Sequence, residues 1–552
     1  MYINSISIIK LSSLLRIEKG DYIMKKILFA LLFVLAGILV ACSSGGSNES
    51  GTSNKGVEEG TKDSNLNATL NIAYPANLQT LDPHLTTNQS TRDVARQIFE
   101  QLLVLNENYE VVPSLAESYE VSEDGLVYTF KLREGVKFHN GDTLEANDVV
   151  ASMKKWIETS SQGKANLKGA EFIEVDPLTV ELRLAEPSLI VPYVLADTAP
   201  FPAIVPAETV ESANETGLTE YIGTGPFKLE EWKVDESITL TRFDEYVSRE
   251  EAPSGLGGAK EAKVKELVFH IVTDVSTRIS GLATGEYDIA FRIPLDNAEQ
   301  IENTEGVQAI YEDAGTATYV FNKAQGPFAD EKLRQAFNAA LNAEEAMIAA
   351  YSSPEFFELD SSLSLPSQTD WYSKAGSEYY NQADLEKAKQ LVAESSYNGE
   401  EVVILTTKDY PEQYSLSVVM QQVLESIGVK SKIDVYDWPT LQERRKDPAN
   451  FDVFPMTFAI RATVHQNPFL ASEAEYAGWT NDPQIDQLLK EITLAKDFTE
   501  AKPLVDKLQQ RVWEYLPIVK VGNHKSLEAV SDKVQGYSSL IGPILWNVSK
   551  SE

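Results

Sequence analysis

Cys42 is the only cysteine in the chain, and it closes the apolar run Ile27 to Ala41 that Met24-Lys25-Lys26 introduces. One cysteine makes no internal disulfide. The roughly 500 residues that follow must therefore be held by buried apolar surface alone, and that many exceed one ordinary core and fill two or three lobes. The run itself does not belong to that body. A basic start, an apolar segment and small residues before a cut are the marks of an export segment. At about 1.5 Å per residue, a helix over it falls short of a roughly 30 Å hydrocarbon core. Residues 1–41 are expected to be removed.

Leu39-Val40-Ala41-Cys42 resembles the lipobox, in which the cysteine thiol receives a diacylglyceryl group and becomes the new N-terminus. Two acyl chains on one residue anchor stably where one is marginal. Met1 to Ile23 put mixed polar and apolar sequence ahead of the basic start, and the codons of Glu18-Lys19-Gly20 are purine-rich like a ribosome-binding site. Translation is therefore expected to start at Met24. Residues 42–65, mostly Ser, Gly, Asn, Glu, Lys and Thr, bury too little surface to fold and are read as a lipidated flexible tether.

The chain carries 83 acidic against 48 basic residues, a formal charge of −35, which repels nucleic acid and anionic lipid. Its five histidines, His84, His139, His270, His465 and His524, show no pair at metal-ligand spacing, so no zinc centre is expected. No nucleophile elbow or phosphate-cradling Gly-Lys loop is present. Gly255-Leu256-Gly257-Gly258 precedes the strand it would have to follow, so it is not read as a nucleotide loop. No cofactor is expected.

Alternation and helical spacing point to mixed α/β structure. Leu70 to Tyr74 reads as the first strand. Ser122-Glu123-Asp124-Gly125 reads as a turn between Tyr119 to Val121 and Val127 to Leu132, and Asp176-Pro177 as the turn of a second pair within Phe172 to Leu184. Leu333, Ala336, Phe337, Ala340 and Leu341 share one helix face behind the N-cap candidate Asp330, and Asn342 with Glu345 starts another helix. Val402 to Leu405, the stripe from Leu416 to Ile427 ending at Gly428, and Ile433 to Tyr436 make a β-α-β unit with a parallel strand pair.

Several segments, in order, resemble the large extracellular solute-binding proteins of peptide and nickel importers, solute-binding protein family 5. They are Thr80-Leu81-Asp82-Pro83-His84, Gln97 to Leu103, Pro113 to Ser118, Leu132 to Gly141, Asn147-Asp148-Val149, Gly223-Thr224-Gly225-Pro226-Phe227 with Trp232, Asp274 with Arg278, Gly285-Glu286-Tyr287-Asp288, and Pro327 to Asp330 with Arg334. The likeness runs through nearly all of Leu66 to Glu552. Most of these residues suit turns and tight packing, so they speak for the fold before the ligand.

The resemblance implies an α/β protein with a two-lobed, periplasmic-binding-protein-like type II fold and an extra inserted lobe. Lobe one would comprise 66–100, 222–318 and 518–552, the inserted lobe 101–221, and lobe two 319–517. It also implies a monomer, lipid-anchored through Cys42 on the extracytoplasmic face of the cell membrane, that closes around a peptide or similar small molecule and passes it unaltered to an ABC permease and its ATPase. Two other readings stay open: a secreted hydrolase of peptides or glycans, and a receptor that reports ligand to a membrane sensor.

In peptide-binding members an aspartate in a Gly-Trp-x-x-Asp-Tyr-x-x-Pro-like loop pairs with the ligand's ammonium. In a gapless alignment that position holds Val464, and Arg461 supplies a positive group instead. The departure turns expectation toward a carboxylate-bearing solute, recognised by a bidentate guanidinium. Phe458, His465, Tyr74 and Asn77 complete the expected ligand-binding set.

Overall fold

The computed structural model describes residues 65–214 and 216–551. The export segment, Cys42 and nearly all of the tether therefore lie outside the described residues.

Leu70, Ile72 and Tyr74 are β-favouring, apolar residues, fully buried in the strand Thr69–Tyr74. This strand runs parallel to both its neighbours, Glu266–Ile271 and Ile289–Ile293. A strand buried on both faces and paired in parallel belongs in the interior of an α/β sheet. Ser237–Arg242 and Phe227–Lys233 extend that side to its edge. At the other end lies the β-α-β unit: Val402–Thr406 pairs in parallel with Ser431–Val435, and the helix Pro411–Ser426 crosses between them.

Two long antiparallel strands, Val307–Phe321 and Ile518–Ser531, join these ends into one 11-stranded sheet. Along the first of them, Val307 to Asp313 pairs only with the second, whereas Gly315 to Val320 also pairs with the strand Val453–Ala459. Register shifts fall between Asp313 and Gly315 and between Ala317 and Thr318, where the sheet passes from one half to the other. Each half has its own core. Leu70, Phe227, Leu240 and Phe269 pack in the first; Tyr319, Phe337, Ile404 and Leu416 pack in the second.

A separate four-stranded antiparallel sheet, ordered Ala116–Val121, Val127–Leu132, Thr179–Arg183, Glu171–Asp176, stands between the first strand and Phe227–Lys233 in sequence. Phe130, Val180 and Leu182 bury one face with Trp156 of the helix Ala146–Thr159. Its chain leaves and returns at one place: Gly225 N–H donates to Ile98 O at 2.8 Å. A Cβ on Gly225 would lie 2.6 Å from Gln97 O, so close backbone approach, rather than a special turn, requires the glycine. The turn at Ser122–Gly125, the hairpin at Asp176–Pro177 and the caps Asp330 and Asn342 all form where the sequence puts them.

Candidate functional site

The strand Val453–Ala459 ends against the crossing strand at Gly315, and the chain then turns across the middle of the molecule through Ile460, Arg461 and Ala462. Two openings flank this loop and share Ala459, Ile460 and Arg461 as their common wall. The first, about 400 Å³, is bounded by Thr316, Ser364, Gln368, Phe458 and Asn523. The second, about 440 Å³, brings three parts of the fold together: Gln89 and Arg92 from the helix Gln89–Ile98, Asp197 and Thr198 from the inserted segment, and Arg461 with Gln466 from the loop.

Buried polar atoms without partners gather on these walls. They include Arg461 Nε, Asp197 Oδ2, Gln466 Nε2 and Asn523 Nδ2. Buried donors and acceptors are nearly always satisfied, so such a concentration marks a place that another molecule completes. A larger opening of about 1870 Å³ between Tyr119, Tyr128 and Tyr193 on one side and Leu494 to Phe498 on the other has none of them.

Phe458 is held in its wall by Phe469 and Tyr476, with ring centroids 4.9 and 5.8 Å away. The Arg461 backbone is fixed by Gln368 Nε2, which donates to its carbonyl at 2.6 Å. Its guanidinium makes no hydrogen bond to protein among the described residues, so the backbone is held while the N–H groups stay available. Burial pushes the Asp197 carboxyl up to about 6, against the opposing pull of Arg461 and nearby backbone N–H groups.

The other sequence candidates lie elsewhere. Tyr74 sits behind the cleft: its hydroxyl donates to Asp93 Oδ2 at 2.7 Å, while Asp93 Oδ1 accepts from Arg92 Nε and Nη2 at 2.9 and 2.7 Å. Burial works to raise the Asp93 carboxyl, but Arg92, Arg292 and Arg96 together hold it below its ordinary range. Tyr74 therefore supports Arg92, and Arg92 is the residue that reaches the cleft. The Asn77 amide donates to Asp235 in the turn between the edge strands. His465 Nε2 lies 3.0 Å from Leu489 O, and its ring stands edge-on to Trp371. Burial lowers this imidazole to about 4, leaving it a neutral packing group.

Arg92 and Asp197 escaped sequence reasoning, since an isolated arginine on a helix and an aspartate after an apolar run carry no local signature. No cluster of three or more potential metal ligands occurs among the described residues, nor any helix long and apolar enough to cross a membrane.

Residues 110–502 match the profile of the bacterial extracellular solute-binding proteins, family 5 Middle. The chain is similar to a protein of Sinorhizobium fredii named "Probable peptide ABC transporter periplasmic-binding protein y4tO", with 31% identity over 498 residues, 86% of this chain and 92% of that one. It is 26% identical to the dipeptide-binding protein DppE of Bacillus subtilis over 506 residues, 82% of this chain and 86% of DppE. Among solved structures, the ABC transporter substrate-binding protein CtaP of Listeria monocytogenes superposes with a TM-score of 0.79 at 22% identity, covering 88% of this chain and all of CtaP. AgaA of A. tumefaciens R10, solved with agropinic acid, superposes with a TM-score of 0.72 at 26% identity, covering 88% and 99%.

Proposed function

Since this chain belongs to the bacterial extracellular solute-binding proteins of family 5, whose members capture a solute for an ABC importer and convert nothing, we propose that its own solute is a peptide or similarly sized molecule read by its carboxylate at Arg461. The observation that carries this reading is a guanidinium on the wall between two openings, its backbone fixed and its N–H groups without a hydrogen bond to protein among the described residues. A planar guanidinium takes a carboxylate through two parallel hydrogen bonds, and desolvation in the cleft strengthens both. Arg92 lines the same opening with its charge already met by Asp93, which leaves Arg461, among the described residues, as the cation open to a guest. Two relatives lend support: the name of DppE specifies dipeptides, and AgaA was solved with an acid in place.

The chain would fold as lobe one, an inserted lobe and lobe two, with the crossing strands as hinge. A solute touching more than one of them favours the closed form, because only differential contact shifts such an equilibrium. Lipid on Cys42 would hold this monomer at the outer face of the membrane, within reach of its permease.

Native mass spectrometry of the mature protein, purified from rich medium, is expected to show one small molecule bound mole for mole and released unaltered. Arg461→Ala should weaken capture of that molecule by about 2 kcal/mol, roughly 30-fold. Unchanged affinity would remove Arg461 from recognition.

A further inference from the structure

Of the polar groups left unanswered around Arg461, Asp197 carries the opposite charge. It follows the short helix Val191–Leu195 of the inserted segment and is only 4% exposed. Gln101 Nε2 donates to its backbone carbonyl at 2.9 Å and Ala199 N–H to its Oδ1 at 3.2 Å, so its position is set from both sides. Oδ2 accepts nothing. Gln466, whose amide nitrogen has no other partner, and Arg461 are the side chains that draw on this carboxyl.

Asp197 is the only acid on the walls of the second opening among the described residues, and the loop from Ala459 to Gln466 contains none. Arg461 lines the same opening and feels the Asp197 charge, yet no ion pair joins the two. A buried carboxylate is expensive to keep unless something neutralises it. Two opposite charges on the walls of one cavity, attracting each other without forming an ion pair, leave a place for a guest that meets both.

We propose that Asp197 receives a cationic group of the solute, so that the guest is a zwitterion with its ammonium against the inserted segment and its carboxylate against Arg461. This deepens the reading of Arg461 given above and rests on it. Such a guest ties the inserted segment to the loop after Val453–Ala459, which is what closure requires. It also sets a selection rule, because masking either end strips one buried charge of its partner.

The test uses the mature chain in competition native mass spectrometry against three equimolar pools of di- to tetrapeptides: free at both ends, N-acetylated, and C-amidated. The wild type should take the free pool and bind the acetylated pool at least 30-fold more weakly. In Asp197→Asn that gap should shrink below threefold, while discrimination against the amidated pool persists and shows the site intact. Equal capture of free and acetylated peptides by the wild type would overturn the role of Asp197 and, with the amidated pool still rejected, leave that of Arg461 standing. A variant that keeps the full preference for free amines would overturn it as well. Capture of none of the pools would overturn both readings.

Discussion

Asp197 bears a charge where little solvent reaches it, and that makes it a liability in the empty protein. Burial lifts its carboxyl to about 6, well above the unfolded value, so the folded state binds a proton more readily than the unfolded one. Stability then rises as pH falls through 6 and flattens near 4, the reverse of an aspartate in a salt bridge. Asp197→Asn should raise the stability of the ligand-free protein at pH 7.5 by about 1–3 kcal/mol and abolish this dependence, measured by urea unfolding between pH 5 and 8. Solute affinity should move the other way, falling in the wild type as Asp197 protonates between pH 7 and 5. The charged groups facing Asp197 in the cleft are Arg461 and Arg92. A purely structural aspartate would lose stability on the same substitution. Arg461 was legible in the sequence because its loop could be set beside a family motif. Asp197 was not, since it meets Arg461 only after the inserted segment folds back against residues far along the chain.

Short-range elements were the most legible. Alternation, turn residues and caps place the hairpins and the helices behind Asp330 and Asn342, because each is decided by neighbours within a few residues. The crossing strands were harder. Ile518–Ser531 mixes Lys520, Asn523, His524 and Lys525 with apolar residues, and buries most of them whatever their polarity. A strand in the middle of a sheet is specified by its partners, not by its own alternation. Gly315 shows how tightly those partners meet: a Cβ there would lie 2.4 Å from Phe458 O and 2.9 Å from His524 Nε2. The first of these is backbone of the strand that leads into the binding loop. Gly315→Ala should therefore cost about 2–3 kcal/mol by thermal or urea unfolding and displace Phe458 with its loop, weakening solute capture beyond the loss of stability. Wild-type affinity in that variant would show that the strands can separate without moving the site.

The whole molecule ties its two halves together through continuous hydrogen-bonded strands instead of a loose linker, and the proposed closure would bend them at the register shifts near Asp313 and Ala317. Lipid on Cys42, as proposed above, would meet the other requirement for a capture protein, that it stay near its permease. Cys42→Ser should leave the protein out of the membrane fraction and free of incorporated fatty acid, with solute affinity in the purified body unchanged; membrane retention of the variant would assign anchoring to another part of the chain.

One of the two strands at the centre of the sheet, Ile518–Ser531, follows every other strand of that sheet in sequence. Until it pairs, the two half-sheets have no shared middle, and the early part of the chain cannot lock into its final form. A folding polypeptide of this design therefore closes its central seam only when a strand distant in sequence comes home, so both halves are locked in one shared step.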